Sequence, residues 1–212
     1  MAASNNPWSP SSYSPSKTAL LLLDYENAHV SMIQNPEERE KVVQSTKRLL
    51  TAARENNVAI VHCIMDTTLN PPPTSKGTEK WQSVIKPMLA GHPELVAEYS
   101  EFAVAGGAPD GDIRESTSHR NPAYLSALVA EGLLPLLREK LGVVHLIMSG
   151  ITTSGPVLGT ATHATDLDFV VTVVGEACWD PDEKVHRALL DTVLPVLAWV
   201  STVEEVVGYM AA

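Results

Sequence analysis

Four runs of consecutive apolar residues constrain the fold of this chain more than any other feature. They lie in the stretches 18–30, 58–65, 143–148 and 168–174. An apolar run without alternation is typical of a strand that is covered on both faces. Stretches with helical spacing separate these runs, and strands that alternate with amphipathic helices form a parallel sheet with right-handed crossovers. We therefore expect an α/β fold with a doubly wound, mostly parallel sheet flanked by helices in three layers.

The predicted helices carry recognisable start signals. In the stretch 35–57, Asn35 can cap a helix and Pro36 suits its first turn. Four apolar residues of this stretch share one face, as an amphipathic helix requires. The remaining predicted elements are a short strand near Ile113 and helices over 121–142, bent between Gly132 and Pro135, over 155–167, and over 180–198, capped by Asp180.

The composition excludes several classes of partner. The formal net charge of −10 argues against nucleic acid, because basic side chains supply most of the affinity for phosphates, and it disfavours anionic membrane surfaces. No stretch approaches the ~20 apolar residues that cross a bilayer. Residues 1–16 are rich in Ser, Pro and Asn and lack an apolar core, so they predict a flexible leader and not a secretion signal. We expect one domain over 17–212 of a cytoplasmic protein.

The two cysteines, Cys63 and Cys178, each lie beside a predicted strand. Single thiols at such positions are commonly buried and reduced. Neither cysteine has a spacing that is typical of metal ligands. We expect no metal ion and no other cofactor.

The fold class itself selects candidate functional residues. In doubly wound sheets, ligands bind beyond the carboxyl ends of the strands, which points to Asp24, Asp66 and the loop 150–156. Asp24 follows four leucines directly, so its carboxyl group is predicted to be partly desolvated, which raises its pKa and suits it to acid–base work. The alternative role of Asp24 is to cap the next turn. Asp66 enters a loop, where aspartate is common.

The loop after the third apolar run begins "GITTSGPVLG", with the pattern of a strand end, a tight turn and a helix start. In α/β proteins this corner often holds a reactive group. Pro156 offers neither a nucleophile nor a backbone N–H. Thr153 and Ser154 carry hydroxyl groups, but neither has the sequence context of a serine nucleophile, which needs an adjacent base. Capping of the helix is the alternative role of these hydroxyls.

Two stretches resemble the isochorismatase-like hydrolases. "TALLLLDYENAHV" is similar to their first strand, where an aspartate ends the strand and a Gln-Asn pair commonly follows. "LIMSGITTSGPVLGTATHATDLDFVVTVVGEACWD" is similar to their Gly-Val-x-Thr loop and the helix after it. The likeness covers roughly residues 17 to 207. It implies a Rossmann-like, three-layer fold with about six strands.

The resemblance also implies three reactive groups: an acidic residue, a lysine and a nucleophilic cysteine. The acidic residue corresponds to Asp24, and the cysteine position falls on Pro156. No lysine occurs in the matching region, where Arg114 or Glu115 is the nearest residue. Without the thiol and the N–H of the cysteine, acyl transfer by the family's route is excluded. Isochorismatases hydrolyse a vinyl ether without cysteine, and resemblance to them implies that the aspartate acts as general acid.

Several side chains could contact an anionic or polar substrate. Arg114 could hold a carboxylate with two hydrogen bonds. His119 and Arg120 stand beside a predicted helix start, where anions are favoured, although a solvated loop is the alternative interpretation. His29 lies where the family often has an aromatic residue, and it either lines the pocket or packs against it.

Two functions remain open at this point. The first is an enzyme that acts on a small carboxylated or cyclic metabolite with Asp24 as general acid or base. Hydrolysis is the family expectation, and elimination or rearrangement is equally compatible with one carboxylic acid. The second is a catalytically degenerate member that binds a ligand or a partner. Family likeness also suggests a homo-oligomer, either a dimer or a tetramer. The predicted substrate contacts are Asn27, His29, Arg114, His119, Arg120, Thr152, Thr153, Ser154 and Pro156.

Overall fold

A six-stranded parallel sheet forms the centre of the chain in the computed structural model, which describes residues 6–103 and 113–211. The strands are β1 (Thr18–Leu23), β2 (Ala59–Met65), β3 (Glu115–Arg120), β4 (His145–Gly150), β5 (Val170–Val174) and β6 (Trp199–Ser201). Their order across the sheet is β3-β2-β1-β4-β5-β6, and every pair is parallel. The predicted doubly wound, parallel sheet is confirmed. The strand order reverses between β1 and β4, at the switch point where such sheets bind ligands.

Helices cover both faces of this sheet. They are α1 (Asn27–Val30), α2 (Pro36–Glu55), α3 (Thr78–Lys80), α4 (Lys86–Ala90), α5 (Leu133–Pro135), α6 (Leu158–Asp166), α7 (Glu183–Ala188) and α8 (Val203–Met210). Wide helical turns extend them at Trp81–Ile85, Leu136–Lys140, Thr153–Val157 and Leu189–Val193. The longest helix, α2, begins as predicted, because Asn35 Oδ1 accepts a hydrogen bond from the N–H of Glu37 at 2.9 Å.

Side chains of β1 alternate between two hydrophobic cores. Leu21 and Leu23 pack on one side of the sheet with residues of α6, whereas Leu20 and Leu22 pack on the other side with residues of α2 and α8. Every residue of β1 is buried. The strand therefore needs apolar residues at consecutive positions, which is the pattern that the sequence shows.

The edge of the sheet at β3 differs from the prediction. The strand was expected near Ile113 but lies at Glu115–Arg120. It is the outermost strand of the sheet and pairs with β2 alone, and polar residues are common in such edge strands. The helix predicted over 121–142 is wrong for its first part, because Leu133 is where the regular helix begins. Gly132 precedes it with a φ of 79°, a left-handed conformation that ends the irregular segment before the helix.

The irregular segment 121–126 lies against α6. A Cβ atom at Gly159 would sit 2.5 Å from Cβ of Leu125, so the absence of a side chain at Gly159 permits this close approach. Thr160 Oγ1 also accepts a hydrogen bond from the N–H of Ala127 at 3.0 Å. Segment 121–126 therefore bridges the carboxyl end of β3 and the helix that follows β4.

No helix among the described residues is long and apolar enough to cross a membrane. Of the predicted leader, residues 1–16, the structure describes residues 6–16. There the carbonyl oxygen of Trp8 accepts a hydrogen bond from Trp199 Nε1 at 3.0 Å. This contact ties the beginning of the described chain to β6.

Candidate active site

Asp24 lies immediately beyond the carboxyl end of β1, as the sequence predicted. Its backbone N–H donates to the carbonyl oxygen of Cys63 at 2.8 Å, which continues the pairing of β1 with β2 by one residue. Its φ of 56° is left-handed, a conformation that aspartate tolerates better than most residues other than glycine. The chain turns at this residue from the sheet towards α1. The side chain is 2% exposed, so the carboxyl group is held in the interior.

Arg120 provides the cationic partner of Asp24. It is the last residue of β3, two strands away, and its Nη2 donates to Oδ2 of Asp24. Two strand spacings amount to about 10 Å, a distance that the long arginine side chain can span. Its Nη1 donates to the carbonyl oxygen of Tyr124 in the segment 121–126. The guanidinium group therefore links the carboxylate to the segment that covers it, and both ends of the pair are buried.

The environment of Asp24 favours its protonated form. Burial raises the pKa of Asp24, and the negative charge of Glu26 raises it further, whereas the positive charge of Arg120 lowers it. The result is a pKa of about 7. Asp24 Oδ1 and Arg120 Nε are buried and find no hydrogen-bond partner among residues 6–103 and 113–211. These two atoms could therefore bind a polar group of a ligand or a water molecule.

Glu26 and His29 form a carboxylate–imidazole pair near Asp24. Glu26 Oε2 accepts a hydrogen bond from His29 Nδ1 at 3.0 Å, and Glu26 Oε1 accepts one from the N–H of Met65 at 2.7 Å. Sequence reasoning selected His29 but missed Glu26. The available signal was the spacing of three residues, which places two side chains on the same face of a helical turn.

Arg114 and Glu115 lie at the amino end of β3, whereas Asp24 lies beyond the carboxyl end of β1. The carbonyl oxygen of Arg114 pairs with Ile60, which is level with Leu20, four residues or about 13 Å before Asp24. The Arg114 Nη1 donates to the carbonyl oxygen of Asn57. The match of Arg114 or Glu115 to the family lysine stays a prediction, and the structure places both residues at the amino end of β3, away from Asp24. The basic residue beside Asp24 is Arg120.

Glu115 belongs to a separate cluster around the buried His62. Both ring nitrogens of His62 face carboxylates, with Nδ1 at 2.5 Å from Glu98 and Nε2 at 3.2 Å from Glu115. Burial lowers the pKa of His62, but the two carboxylates outweigh it and raise this pKa above its ordinary value. Arg54 pairs with Glu115 on the other side. No three His, Cys, Asp or Glu side chains of the described residues are grouped as a metal site would need.

The loop after β4 uses its backbone N–H groups within the chain. The N–H of Thr153 donates to the carbonyl oxygen of Trp179 at 2.9 Å, and the N–H of Ser154 donates to Asp180 Oδ2 at 2.8 Å. The N–H groups of Gly155 and Val157 both donate to the carbonyl oxygen of Thr152. Pro156, between them, has no N–H. No backbone donor of residues 153–157 is therefore left to stabilise an oxyanion.

The hydroxyl groups of this loop differ in their surroundings. Thr153 Oγ1 is buried and hydrogen-bonds with His186 Nδ1 at 2.8 Å, which ties the loop to α7. Ser154 is exposed, Thr152 is half-buried, and Pro156 is buried. Neither the geometry of Thr153 nor that of Ser154 brings a hydroxyl together with Asp24. They stay predictions as substrate contacts.

Two cavities lie near the carboxyl ends of β2 and β3, and the described lining of neither includes Asp24. One, of 540 Å³, is lined by His29, Met65, Trp81 and Pro122 among others. The other, of 810 Å³, runs along β3 and is lined by His119 and Arg120. The residues predicted to contact one substrate therefore do not share one cavity, because His29 lines the first and His119 lines the second. Asn27 has a structural contact, because its Nδ2 donates to the carbonyl oxygen of Glu94 at 2.8 Å.

Both cysteines are buried, as the sequence predicted. Burial raises the pKa of the Cys63 thiol and that of the Cys178 thiol, which keeps both sulfurs protonated at neutral pH. Neither sulfur is therefore an activated nucleophile.

Comparison with known proteins decides the family. The model of the isochorismatase domain matches residues 18–205. This chain belongs to the isochorismatase family. It is 30% identical over 179 residues to the maleamate amidohydrolase of Pseudomonas putida, an alignment that covers 82% of this chain and 78% of that protein. The resemblance seen in the two sequence stretches is confirmed, and the family is one of hydrolases.

Solved structures share the fold of this isochorismatase-family chain at lower identity. A cysteine hydrolase from Pseudomonas syringae has a TM-score of 0.73 and 17% identity, and the match covers 94% of each chain. The N-carbamoylsarcosine amidase of Thermoplasma acidophilum has a TM-score of 0.64 and 16% identity, with 89% of this chain and 97% of that chain covered. At these identities the likeness establishes the α/β architecture of the family.

Proposed function

We propose that this member of the isochorismatase family hydrolyses a small molecule without a covalent thiol intermediate, with Asp24 as the group that transfers the proton. The observation that carries the proposal is the buried Asp24–Arg120 pair at the switch point, with one carboxylate oxygen free of partners within the described chain. A carboxyl group with a pKa of about 7 can both donate and accept a proton at neutral pH.

Acyl transfer to a side chain has little support here. Pro156 supplies no sulfur and no N–H, and the N–H groups of Thr153, Ser154, Gly155 and Val157 already have acceptors in the described chain. Loss of one oxyanion donor typically costs about 100- to 1000-fold in rate. The reaction therefore proceeds by direct attack of water. Arginine keeps its proton under all ordinary conditions, so Arg120 orients Asp24 and binds a substrate anion, whereas Asp24 moves the proton.

Two hydrolytic reactions suit one carboxyl group. For a vinyl ether, Asp24 donates its proton to the terminal carbon, water adds to the resulting oxocarbenium carbon and returns a proton to Asp24, and the hemiketal collapses to a ketone and an alcohol. For an amide, Asp24 accepts a proton from the attacking water, the C–O bond forms, the C–N bond breaks, and the amine leaves with that proton. The amide reaction has the support of the relative that is named for maleamate.

A substrate can reach Asp24 only if the covering segment moves, because the carboxyl group is 2% exposed. The segment 121–126 is the element that must shift, since Tyr124 accepts a hydrogen bond from Arg120. A substrate with an anionic group would compete with the carbonyl oxygen of Tyr124 for Arg120 and so release the segment 121–126. Closure after binding would exclude bulk water from the site.

The same closure favours a second candidate function, which is ligand binding without turnover. A buried ion pair and the bonded N–H groups of residues 153–157 are compatible with a structural role for the residues of the former active site. In that case the cavities of 540 Å³ and 810 Å³ would hold a ligand and Asp24 would not react.

The experiment compares two aspartates that end neighbouring strands. Wild type, Asp24→Asn and Asp66→Asn are assayed with maleamate, isochorismate and hexanoyl p-nitroanilide. Asp66 is a matched control, because it follows β2 directly but bonds to Thr68 in its own turn. We expect wild type and Asp66→Asn to turn over at least one substrate and Asp24→Asn to be slower by about 10³-fold, within the range of general acid–base catalysis. Thermal unfolding verifies that each variant is folded.

Two results would contradict hydrolysis at Asp24. One is equal turnover by wild type and Asp24→Asn. The other is no turnover of any of the three substrates by wild type, which would favour ligand binding. Iodoacetamide adds a separate check, since we expect no inhibition after labelling at neutral pH.

A further inference from the structure

We propose that Glu26 and His29 form a second proton-transfer pair, which opens onto the 540 Å³ cavity and acts with Asp24 on a substrate with a bulky apolar body. The inference rests on the proposed hydrolytic function and adds to it a proton donor and a substrate class. His29 would be the catalytic residue, and Glu26 would be the residue that positions it.

The carboxylate of Glu26 is fixed from two sides. One oxygen accepts the N–H of Met65 at 2.7 Å, and the other accepts Nδ1–H of His29 at 3.0 Å. Glu26 is buried, so its negative charge is poorly screened by water. Because Nδ1 of His29 donates to a carboxylate, Nε2 is the nitrogen that gains and loses the second proton. A carboxylate that orients an imidazole in this way is a recurring arrangement in acid–base catalysis.

His29 is the group of this pair that a ligand can reach. Its side chain is 18% exposed and forms part of the wall of the 540 Å³ cavity. The one ring hydrogen bond of His29 within residues 6–103 and 113–211 engages its Nδ1 and leaves Nε2 available to a ligand. Met65 and Pro122 line the same cavity, and they adjoin the ends of the strands that carry Asp24 and Arg120. The cavity therefore lies at the carboxyl ends of β2 and β3, and Asp24 and Arg120 stand behind its wall.

The walls of this cavity define the class of ligand. They are chiefly apolar, and they include Met32, Met65, Trp81, Ile85, Met88 and Leu89. Among the described residues, its charged or titratable side chains are Lys80 and His29, and none of its lining residues is a carboxylate. A volume of 540 Å³ is typical of sites for small molecules of drug size. These features fit an amide or ether with an aliphatic or aromatic body that is neutral or anionic.

The charges around His29 favour its protonated form. Burial lowers the pKa of His29, but the hydrogen bond and charge of Glu26, together with the charge of Asp24, outweigh burial and raise this pKa above its ordinary value. The charge of Arg120 acts in the opposite direction, and Lys80 is the other charged side chain that lines the cavity. The imidazolium form is therefore present at neutral pH and can act as an acid.

The two groups give a balanced reaction for an amide. Asp24 as carboxylate accepts a proton from water while the water oxygen bonds to the carbonyl carbon. His29 donates the Nε2 proton to the leaving nitrogen while the C–N bond breaks. One water is consumed, one acid and one amine are formed, and the proton on Asp24 returns to His29 before the next turnover.

The test uses a matched histidine–glutamate pair elsewhere in the chain. His92 Nδ1 lies 3.0 Å from Glu94 Oε1, the same distance as in the pair of His29 and Glu26, but both side chains are exposed. Wild type, His29→Gln, Glu26→Gln, His92→Gln and Glu94→Gln are assayed with hexanoyl and acetyl p-nitroanilide. We expect kcat to fall about 100-fold or more in His29→Gln and about 10-fold in Glu26→Gln, with KM changed less than threefold. The His92 and Glu94 variants should match wild type.

A pH profile separates proton transfer from a structural role. In wild type the rate requires protonated His29 and ionised Asp24. Glu26→Gln removes a negative charge that raises the pKa of both groups, so both limbs of the profile should move to lower pH. In Glu94→Gln the limbs should stay in place. A lower rate with unmoved limbs in Glu26→Gln would overturn the proton-transfer pair.

The remaining outcomes distinguish the inference from the function on which it rests. If Asp24→Asn loses activity but His29→Gln retains it, the pair is overturned and the proposed function stands. If both variants keep full activity, the proposed function fails. The cavity assignment has a readout without turnover: addition of hexananilide should shift the His29 Hε1 proton resonance, which is identified by its loss in His29→Gln. An unmoved resonance, or a preference for acetyl over hexanoyl p-nitroanilide, would overturn the apolar substrate class.

Discussion

Two neighbouring loops at the switch point of the sheet use their polar groups in opposite ways. The loop after β1 concentrates ionisable side chains, with Asp24, Glu26 and His29 within six residues. The loop after β4 has the backbone donors of residues 153–157 bonded within the described chain, and it carries Pro156 where the resemblance implies a nucleophile. Since residues 153–157 leave no backbone donor free, we expect the chemistry to reside in the first loop. Family membership by itself therefore does not tell which loop carries the reaction.

The largest expected effect on stability comes from breaking the ion pair of the first loop. Arg120→Gln should lower the free energy of unfolding by about 3 kcal/mol at pH 8, because it leaves the Asp24 charge buried without its partner. The loss should be smaller at pH 5, where Asp24 takes up a proton and becomes neutral. Urea unfolding at both pH values measures the difference.

The control is an arginine–glutamate pair on the surface. Arg187 and Glu183 are 2.6 Å apart at a spacing of four residues on α7, and both are largely exposed. Arg187→Gln should change stability by less than ~0.5 kcal/mol at either pH. Equal losses of unfolding free energy in Arg120→Gln and Arg187→Gln would contradict the claim that Arg120 compensates a buried charge on Asp24.

The second effect is the pH dependence that Asp24 gives to stability. Its pKa is about 7 in the folded chain and 3.8 is its ordinary value, so the unfolded chain loses this proton first as the pH rises. The contribution of Asp24 is fully present below about pH 4 and is lost as the pH rises towards 7. The slope approaches about 1.4 kcal/mol per pH unit between these values.

Urea unfolding of wild type and Asp24→Asn at pH 4.5, 5.5 and 6.5 isolates this contribution. The stability of the variant relative to wild type should increase with pH across this window. His62 also has a raised pKa and remains in both proteins, so its contribution cancels, whereas the pKa of His29 falls when the charge of Asp24 is removed. A constant difference would show that the pKa of Asp24 is not raised.

The smallest effect is expected in the loop after β4. Pro156→Ala restores a backbone N–H but no charge, and the neighbouring N–H groups already have partners. The rate should change less than threefold. Stability should fall by less than ~1 kcal/mol, because alanine gives the unfolded chain more freedom than proline. A rate increase of tenfold or more would show that this loop still takes part in the reaction.

The sequence predicted the part of the site that is local to one strand. β1 is buried on both faces, so its leucines form an unbroken run and Asp24 marks its end. The same reasoning failed for β3, because an edge strand of polar residues has no apolar pattern. Without the position of β3, the residue opposite Asp24 could not be chosen between Arg114, Glu115 and Arg120.

The segment after β3 and the Glu26–His29 pair are two further features that the sequence did not predict. The stretch 121–132 has helical spacing, yet its backbone is held by Arg120 and by the close approach of Leu125 to Gly159. Such tertiary contacts are not encoded in a local pattern. Glu26 was missed because its partner Met65 N–H lies on another strand, 39 residues later.

The most direct test of a reaction carried by the loop after β1 compares Asp24→Asn with Pro156→Ala in one assay. Both variants and wild type are measured at saturating hexanoyl p-nitroanilide and pH 7. We expect Pro156→Ala to keep kcat within threefold of wild type and Asp24→Asn to lose about 10³-fold. The opposite ranking, with Asp24→Asn active and Pro156→Ala strongly altered, would place the reaction in the loop after β4 and contradict the assignment made here.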